Sequence, residues 1–400
     1  MAKSVEQVRA DIPFLKTGVI YLDNAATTPT PEPVIAAMLE YFREYGANVG
    51  RGLYRATRKA TEAFEGVRAK VAKVIDAAPD EIAYTKNTTE GINLVARGLG
   101  LKKGDKVITT VLEHHSNILP WQRLQEKGVE LEIIGATKEC LLRPEDFEAA
   151  IDKNTRLIAA HHISNSIGSE QPVKEIGKIA RENDVLFLLD AAQSVGHAPV
   201  DVKKIGCDFL AAPGHKGLLG PQGTGFLYFR KDVGKELKPL LVGGGIVLDV
   251  ETHRAKLVEP PEVFDAGTPN IPGIIGLGRA CDYTLEIGVE KIEARERKLT
   301  EMMMKIKDFP NVTVYGSPSV DRRGGVVSFN IAGLGFHDVA AMLDELEKIA
   351  VRSGNHCAQP TMRHLGIGGT ARASVHYYNL EEEVSKFVDA VGEISKELGG

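Results

Sequence analysis

The sequence contains only four cysteines in 400 residues, and they stand far apart. Cys140, Cys207, Cys281 and Cys357 form no Cys-x-x-Cys pair, which argues against a zinc site or redox centre of that type. Four cysteines are also too few for a disulfide scaffold in a chain of this length. Three of them lie where any small buried apolar residue would serve, and Cys357 is the exception.

Long apolar runs and an excess of basic charge are missing as well. Residues 1–6 lack the apolar stretch of a secretory signal, and no run of about 18 apolar residues occurs, so we expect no membrane attachment and a cytoplasmic location. The 49 basic and 54 acidic residues give a formal net charge of -5. Because no basic stripe interleaved with aromatic residues is present, we expect small molecules or proteins as partners and no nucleic acid.

Short β-rich runs that alternate with amphipathic stretches predict an α/β fold. The chain is 43% hydrophobic, so it can bury a core large enough for more than one lobe. Runs of four or five residues are typical of buried strands in a mostly parallel sheet covered by helices. The predicted strands of this seven-stranded sheet are residues 81–84, 106–110, 131–134, 156–160, 185–189, 209–211 and 225–229. Residues 57–74 and 173–183 are predicted to be helices.

After residue 272 the pattern changes to that of a smaller α+β domain. A long charged helix is predicted over residues 285–306, and strands are predicted at 312–315 and 326–331. We therefore expect a large domain over residues 16–271 and a small domain formed by residues 1–15 and 272–400.

Polar side chains follow several predicted strands, where ligands of open parallel sheets bind. Thr88 and Thr89 open a helix after the first strand, and their position suits either a phosphate or an ordinary helix N-cap. Asp190 follows an apolar strand and needs a cationic partner, either a protonated pyridine nitrogen or an arginine. Lys216 lies between glycines after the sixth strand. A lone lysine is usually a solvated surface residue, but lysine also forms Schiff bases with aldehyde cofactors.

Two pairs of adjacent histidines follow other strands of the same sheet. His114 and His115 follow the second strand, and His161 and His162 follow the fourth. Neighbours in sequence rarely share a metal, and no His-x-x-x-His pair occurs, so the pattern argues against a zinc site. We expect His114 to stack on a planar cofactor ring and the other three to be satisfied structural histidines.

Taken together, these residues resemble the group II cysteine desulfurases, in the class V aminotransferase superfamily of fold type I pyridoxal-phosphate enzymes. The similarity extends over nearly the whole chain. Its motifs are residues 21–28 (YLDNAATT), 87–93 (NTTEGIN), 113–117 (EHHSN), 190–193 (DAAQ), 214–216 (GHK), 266–270 (AGTPN), 352–358 (RSGNHCA) and 371–374 (ARAS). The last two are the most specific, because they resemble the desulfurase cysteine loop and the strand that carries the carboxylate-binding arginine.

The resemblance implies a pyridoxal 5'-phosphate site to which most motifs contribute a residue. Lys216 would hold the cofactor covalently, Asp190 would pair with the pyridine nitrogen, and His114 would stack on the ring. Asn165 and Gln193 would contact the phenolic oxygen of the ring.

The resemblance also assigns residues to the cofactor phosphate. Thr88 and His215 would bind it, with Thr89 beside them. Thr268 would join them from the partner subunit, so the active unit would be a homodimer. No metal is expected.

The same resemblance implies which residues bind the substrate and accept its sulfur. Arg372 would bind the carboxylate of L-cysteine through two parallel hydrogen bonds, assisted by Arg352 and Asn165. Cys357, as a thiolate, would attack the substrate sulfur, release L-alanine and carry a persulfide to an acceptor protein of iron–sulfur cluster assembly.

Two other readings of the sequence remain open. One is a different class V enzyme, such as a lyase for L-selenocysteine or a transaminase, and the other is a catalytically silent scaffold. A transaminase has no use for the thiol of Cys357, and a silent scaffold is expected to have lost Lys216 or Asp190, yet both are present.

The chain departs from the usual family pattern at four places. Pro213 stands where serine is usual, Asn355 where histidine is usual, and Gly50 and Tyr54 where histidines are common. Pro213 removes one hydroxyl that could bind the phosphate.

Overall fold

The computed structural model describes residues 3–50 and 52–397. Met1 and Ala2 of the amino-terminal segment, and Arg51 between Gly50 and Tyr54, lie outside these ranges. The helices are α1 (Val5–Ala10), α2 (Glu32–Glu44), α3 (Arg55–Ile75), α4 (Thr88–Gly98), α5 (Leu119–Leu124), α6 (Pro144–Ala150), α7 (Val173–Glu182), α8 (Val202–Ile205), α9 (Lys231–Gly234), α10 (Ile271–Ile287), α11 (Val289–Met303), α12 (Phe336–Glu347), α13 (Gln359–His364) and α14 (Glu381–Glu397).

Strands form two main sheets and two short pairs in the described chain. The strands are β1 (Ile20–Tyr21), β2 (Ile82–Thr85), β3 (Lys106–Thr110), β4 (Glu130–Ile134), β5 (Thr155–His161), β6 (Leu186–Asp190), β7 (Phe209–Pro213), β8 (Gly225–Phe229), β9 (Val247–Val250), β10 (Ala255–Leu257), β11 (Val312–Tyr315), β12 (Val326–Ile331), β13 (Ile349–Ala350), β14 (Arg352–Gly354) and β15 (Thr370–Ser374). The short pairs are β1 with β13 and β9 with β10.

The large sheet has seven strands, as predicted, and their order is β2-β8-β7-β6-β5-β3-β4. Only β8 is antiparallel to its neighbours, and the other six strands point the same way. Their side chains alternate between two apolar layers: Phe187 and Leu210 pack on one face, and Leu188 and Phe209 pack on the other. Burial on both faces explains why these strands are continuous apolar runs rather than alternating patterns.

The smaller sheet has four antiparallel strands in the order β11-β12-β15-β14. Its core includes Phe329 of β12, Leu299 of α11 and Phe387 of α14. The strands predicted at 312–315 and 326–331 are therefore confirmed. The predicted domain boundaries remain a prediction, and β1, at the start of the predicted large domain, pairs with β13 of the carboxyl-terminal part.

The single helix predicted over residues 285–306 is wrong, because the chain breaks at Gly288. Helix α10 ends at Ile287, and α11 begins at Val289. Gly288 has φ 95° and ψ 119°, a conformation outside the helical region that L-residues rarely adopt. Its N–H donates to the carbonyl of Thr284 at 3.0 Å and closes the last turn of α10. The charge pattern on both sides is helical, so only the glycine could have indicated the break.

We expect Gly288→Ala to lower the free energy of unfolding by about 1–2 kcal/mol, because a Cβ disfavours positive φ. Gly66→Ala is the matched control: Gly66 lies within α3, where an added Cβ meets nothing within 4 Å, and alanine should raise stability by about 0.5–1 kcal/mol. Urea unfolding measures both. Equal effects of the two substitutions would show that the backbone at residue 288 is unstrained.

No helix of the described chain combines the length and apolar character needed to cross a membrane.

Candidate active site

A cavity of about 310 Å³ lies at the carboxyl edge of the large sheet, against the loop after β14 and strand β15 of the small sheet. It brings together nearly all the residues that the sequence singled out. The predicted residues that line it are Thr88, Thr89, His114, Asn165, Asp190, Gln193, His215, Lys216, Arg352, Cys357 and Arg372.

Lys216 and Asp190 form the charged centre of this cavity. Asp190 ends β6 and is only 4% exposed, and burial raises its pKa to about 6. One of its oxygens accepts the N–H of Ala192 at 3.0 Å. Burial also lowers the pKa of Lys216 to about 8, although the carboxylate of Asp190 opposes this shift. A buried carboxylate of this kind suits a cationic ring nitrogen, and a lysine with a lowered pKa suits a nucleophilic amine.

Two buried polar atoms that have no hydrogen-bond partner indicate a binding site for an anion. Among the described residues, Thr88 Oγ1 and His215 Nδ1 are buried without a hydrogen-bond partner. Thr88 is the first residue of α4, but the N-cap is Asn87, whose side chain accepts the N–H of Glu90 at 3.0 Å. The Thr88 hydroxyl is thus not used as a cap. A free hydroxyl, an imidazole and a helix amino terminus together fit a phosphate.

The ring of His114 is held in a defined orientation. Its Nδ1 accepts the backbone N–H of Ser116 at 3.0 Å, so the ring proton belongs on Nε2. The Ser116 hydroxyl lies 3.0 Å from the same nitrogen and 2.6 Å from Thr89 Oγ1. Burial, and secondarily the charge of Lys216, lower the pKa of His114 to about 3. A neutral, fixed imidazole can stack on a flat ring.

The amides of Asn165 and Gln193 each reach a backbone carbonyl. Gln193 Nε2 donates to Ala25 O at 2.8 Å, and Asn165 Nδ2 donates to His356 O at 2.7 Å. Each amide nitrogen carries two hydrogens, so one remains available for a ring oxygen. Asn165 therefore connects the cavity wall to the loop that carries the thiol.

Cys357 is exposed, while the loop around it is firmly anchored. The backbone N–H of His115 donates to Cys357 O at 2.9 Å, and His356 Nε2 lies 2.9 Å from Thr370 Oγ1. Both His356 and Cys357 have positive φ, 52° and 56°, which is unusual for two successive residues other than glycine. The thiol is thus presented by a strained but well-bonded backbone.

Arg372 and Arg352 lie on the same side of the cavity. Arg372 is 2% exposed; one terminal nitrogen donates to Asn165 O at 2.8 Å and the other to Asp23 Oδ1 at 2.9 Å. Its Nε has no partner among the described residues. Arg352 Nη1 lies 3.6 Å from Asp23 Oδ2. Arg372 therefore has donor capacity left for a substrate carboxylate.

The sequence predicts His161 and His162 to be structural histidines whose ring nitrogens are all hydrogen-bonded. This is wrong for one nitrogen of each ring, because it has no partner among the described residues. His161 Nδ1 lies 2.9 Å from Glu113 Oε1, but its Nε2 has no partner in the described chain and its ring lines the cavity. His162 Nδ1 is equally partnerless. His161 pairs in register with Asp190 across β5 and β6, which the sequence could have indicated once those strands were taken as neighbours. Glu113, which is fully buried, belongs to the EHHSN motif, but the motif did not indicate its contact with His161.

Of the four departures from the family pattern, one lies in the cavity, and Thr268 lies outside it. Pro213 lines the cavity, whereas Asn355, Gly50 and Tyr54 are absent from its described lining. Thr268 lines a separate cavity of about 180 Å³. Its predicted role concerns the partner subunit and stays a prediction.

Sequence reasoning missed a second buried group behind the Lys216 loop: His197, Glu296 and His376, whose ligand atoms all lie within 4.8 Å of one another. His197 Nδ1 is 3.0 Å from Glu296 Oε1. His376 Nδ1 accepts the N–H of Tyr377 at 2.7 Å, and its Nε2 lies 3.1 Å from Gly217 O. Because the backbone occupies both nitrogens of His376, the cluster suits hydrogen bonding to the Lys216 loop better than metal binding.

We expect the free energy of unfolding of Glu296→Gln, relative to that of the wild-type protein, to increase as the pH rises from 5 to 8. Burial raises the pKa of Glu296 to about 8 in the folded protein. The unfolded chain loses this proton near pH 4.5, so the native protein loses stability as the pH rises to 8, and glutamine removes that loss. Urea unfolding at both pH values measures the difference. Glu290→Gln, on the exposed face of α11, is the control, and a difference that does not vary with pH would contradict the assignment.

The residues present fit pyridoxal 5'-phosphate. Thr88 and His215 offer unused polar atoms for the phosphate, Asp190 offers a buried anion for the ring nitrogen, and Lys216 offers an amine for the aldehyde. This combination defines the site of a lysine-bound, aldehyde-cofactor enzyme.

Comparison with known proteins agrees. The family "Aminotransferase class-V" matches residues 20–387. "Probable cysteine desulfurase" of Pyrococcus abyssi is 51% identical, over 98% of this chain and 98% of its own length. The protein of the same description from Methanothermobacter thermautotrophicus is 50% identical, over 99% and 98%. The apo structure of cysteine desulfurase from Thermococcus onnurineus NA1 superimposes with a TM-score of 0.96 at 49% identity and covers 100% of both chains.

The chain therefore belongs to the class V aminotransferase family, within the group of the cysteine desulfurases, and its cofactor is pyridoxal 5'-phosphate.

Proposed function

We propose that this protein converts L-cysteine to L-alanine and takes the sulfur onto Cys357 as a persulfide. The observation that carries the proposal is that Lys216, Asp190, Arg372 and Cys357 line one cavity. A lysine and a carboxylate suit the cofactor, an arginine suits an α-carboxylate, and a thiol suits sulfur transfer.

Bound pyridoxal phosphate withdraws electrons from the Cα of an amino acid. Asp190 would keep the ring nitrogen protonated, because a buried carboxylate stabilises a nearby cation. Lys216 Nζ, with its pKa near 8, is in part unprotonated at neutral pH and can accept the proton that leaves Cα. His114 would cover one face of the ring and limit the access of water.

Arg372 orients the substrate by its carboxylate, so that the substrate sulfur faces the loop of Cys357. The Cys357 thiolate then attacks this sulfur, and a new S–S bond forms as the C–S bond breaks. The electron pair of the C–S bond remains on the substrate carbon, which takes up a proton to become the methyl group of alanine. The exposure of Cys357 supports onward delivery of the persulfide to a protein acceptor.

We propose three further properties by family resemblance. The acceptor belongs to iron–sulfur cluster assembly, the location is cytoplasmic, and the active unit is a homodimer in which the partner supplies Thr268. Support for the homodimer comes from a cluster of exposed apolar side chains near Thr268 in sequence. They are Leu241, Val242, Leu248 and Val250, each more than half exposed.

Lys216→Ala should abolish the visible absorbance of the bound cofactor and the release of sulfide, because the covalent attachment is lost. Absorbance spectra after incubation with pyridoxal phosphate measure the first effect. Lys178→Ala, on the exposed side of α7, is the control and should leave both unchanged. Retention of the band in Lys216→Ala would remove this residue from the proposed role.

Cys357→Ser should keep the cofactor band and reduce sulfide release from L-cysteine by about 100-fold or more, a loss of about 2.7 kcal/mol of transition-state stabilisation. Cys281→Ala removes a thiol that does not line the described cavity and serves as the control. Undiminished release from L-cysteine would refute the persulfide step. The same measurement with L-selenocysteine tests the selenocysteine lyase alternative, because selenium leaves more readily and a lyase of that kind would tolerate serine.

A further inference from the structure

Strand β15 carries Arg372, and the chain that leaves this strand contacts the segment of Lys216. Ser374 ends the strand, and two residues later His376 is fully buried. Its Nε2 lies 3.1 Å from Gly217 O, the carbonyl of the residue that follows Lys216. The described lining of the cavity does not include His376. Any influence of this histidine on the site therefore passes through the backbone beside Lys216.

The surroundings of the His376 ring determine which of its nitrogens carries the proton. Burial lowers the pKa of His376 to about 4, so the ring is neutral near neutral pH and holds one proton. Nδ1 accepts the N–H of Tyr377 at 2.7 Å. Glu296 Oε1 is 3.8 Å from the same nitrogen, which is too far for a hydrogen bond. The proton therefore lies on Nε2, and the imidazole donates it to Gly217 O.

Both partners of this hydrogen bond are held in place. The backbone N–H of His376 donates to Asn379 Oδ1 at 2.9 Å, and its ring stacks on that of Tyr378, with centroids 5.6 Å apart and planes inclined by 11°. On the other side, a Cβ added to Gly217 would lie 2.6 Å from His197 Cδ2. The imidazole and the carbonyl thus meet in a packed region, which transmits small displacements to its neighbours.

Side chains hold two successive carbonyls on the carboxyl side of Lys216. Lys216 O accepts the hydroxyl of Thr28 at 2.7 Å, and Gly217 O accepts the ring N–H of His376. Glycine has no Cβ to limit its backbone dihedrals, so the second hydrogen bond restrains a residue that is intrinsically permissive. The direction of the Lys216 side chain depends on the dihedrals of this stretch.

We propose that His376 is a positioning residue for Lys216: through Gly217 O it fixes the lysine relative to Arg372, which stands four residues earlier in the same stretch of chain. The group that holds the cofactor and the group that holds the substrate carboxylate thereby keep one separation. The proposal rests on the proposed function, in which Lys216 and Arg372 have these roles, and it adds the residue that connects them.

The test separates the hydrogen bond of His376 from the packing of its ring. His376→Phe keeps a flat ring and removes the donor, whereas His376→Gln keeps an N–H donor and removes the ring. In the protein loaded with pyridoxal phosphate, the pH midpoint of the visible cofactor band reports the surroundings of the Lys216 nitrogen. His376→Phe should move this midpoint by about half a unit or more. It should also lower kcat for sulfide release about tenfold at an unchanged KM, because Arg372 is undisturbed.

His376→Gln should keep the wild-type midpoint and a kcat within about twofold, although it should melt at a lower temperature than His376→Phe because the stacked ring is lost. His364→Phe is the matched control. His364 is exposed and its Nε2 also lies 3.1 Å from a backbone carbonyl, that of Thr137, but it is outside the described lining of the cavity. This variant should keep the wild-type midpoint and kcat.

An unchanged midpoint in His376→Phe would overturn the proposal, and so would equal shifts in His376→Phe and His376→Gln, because equal shifts show a purely structural ring. Should His376→Phe fail to fold, NMR of the wild-type protein with ¹⁵N-labelled histidine gives a second test. The His376 signal, assigned by its absence in His376→Gln, should show the proton on Nε2, and a proton on Nδ1 would overturn the proposal.

The midpoint is measured without turnover. A failure of the proposed sulfur transfer would appear in the sulfide assay and leave the midpoint unaffected. A failure of the proposed attachment at Lys216 would appear separately, as a cofactor band that persists in Lys216→Ala.

Discussion

The shared direction of six strands in the large sheet is the constraint on which the rest of the structure depends. Because these strands end at one edge, residues far apart in the chain meet there: Thr88 after β2, His114 after β3, Asp190 at the end of β6 and Lys216 after β7. The apolar layers on both faces of the sheet hold the strands in register. The large sheet therefore builds the side of the site that suits the cofactor, and the small sheet adds Arg352, Arg372 and the loop of Cys357.

Burial gives the groups at that edge their chemical character. It lowers the pKa of Lys216 and of His114, which favours the neutral amine and the neutral imidazole. It raises the pKa of Asp190, which favours the protonated carboxyl group. A cationic ring placed between these residues favours the ionised form of Asp190. The cofactor and the protein thus depend on each other for their protonation states.

The sequence was sufficient to predict much of this arrangement. Buried strands appear as short apolar runs, and Asp190 and Lys216 were conspicuous because each follows such a run directly. The break at Gly288 was missed because the charge pattern continues across it and one glycine is weak evidence against a helix. Glu113 and Asp23 lie within recognised motifs, but their contacts were missed, and the His197 cluster was missed entirely. Each of these contacts joins segments that are distant in the chain, which no local pattern encodes.

The backbone of the Cys357 loop is strained, and hydrogen bonds hold it in the strained conformation. His356 and Cys357 are held at positive φ, a conformation that costs on the order of 1–3 kcal/mol per residue. A few hydrogen bonds, including those from Asn165 and His115, oppose its relaxation. When these bonds are released, relaxation of the two residues lowers the energy of the loop, so the conformation that presents the thiol to the cavity is one that the backbone itself tends to leave.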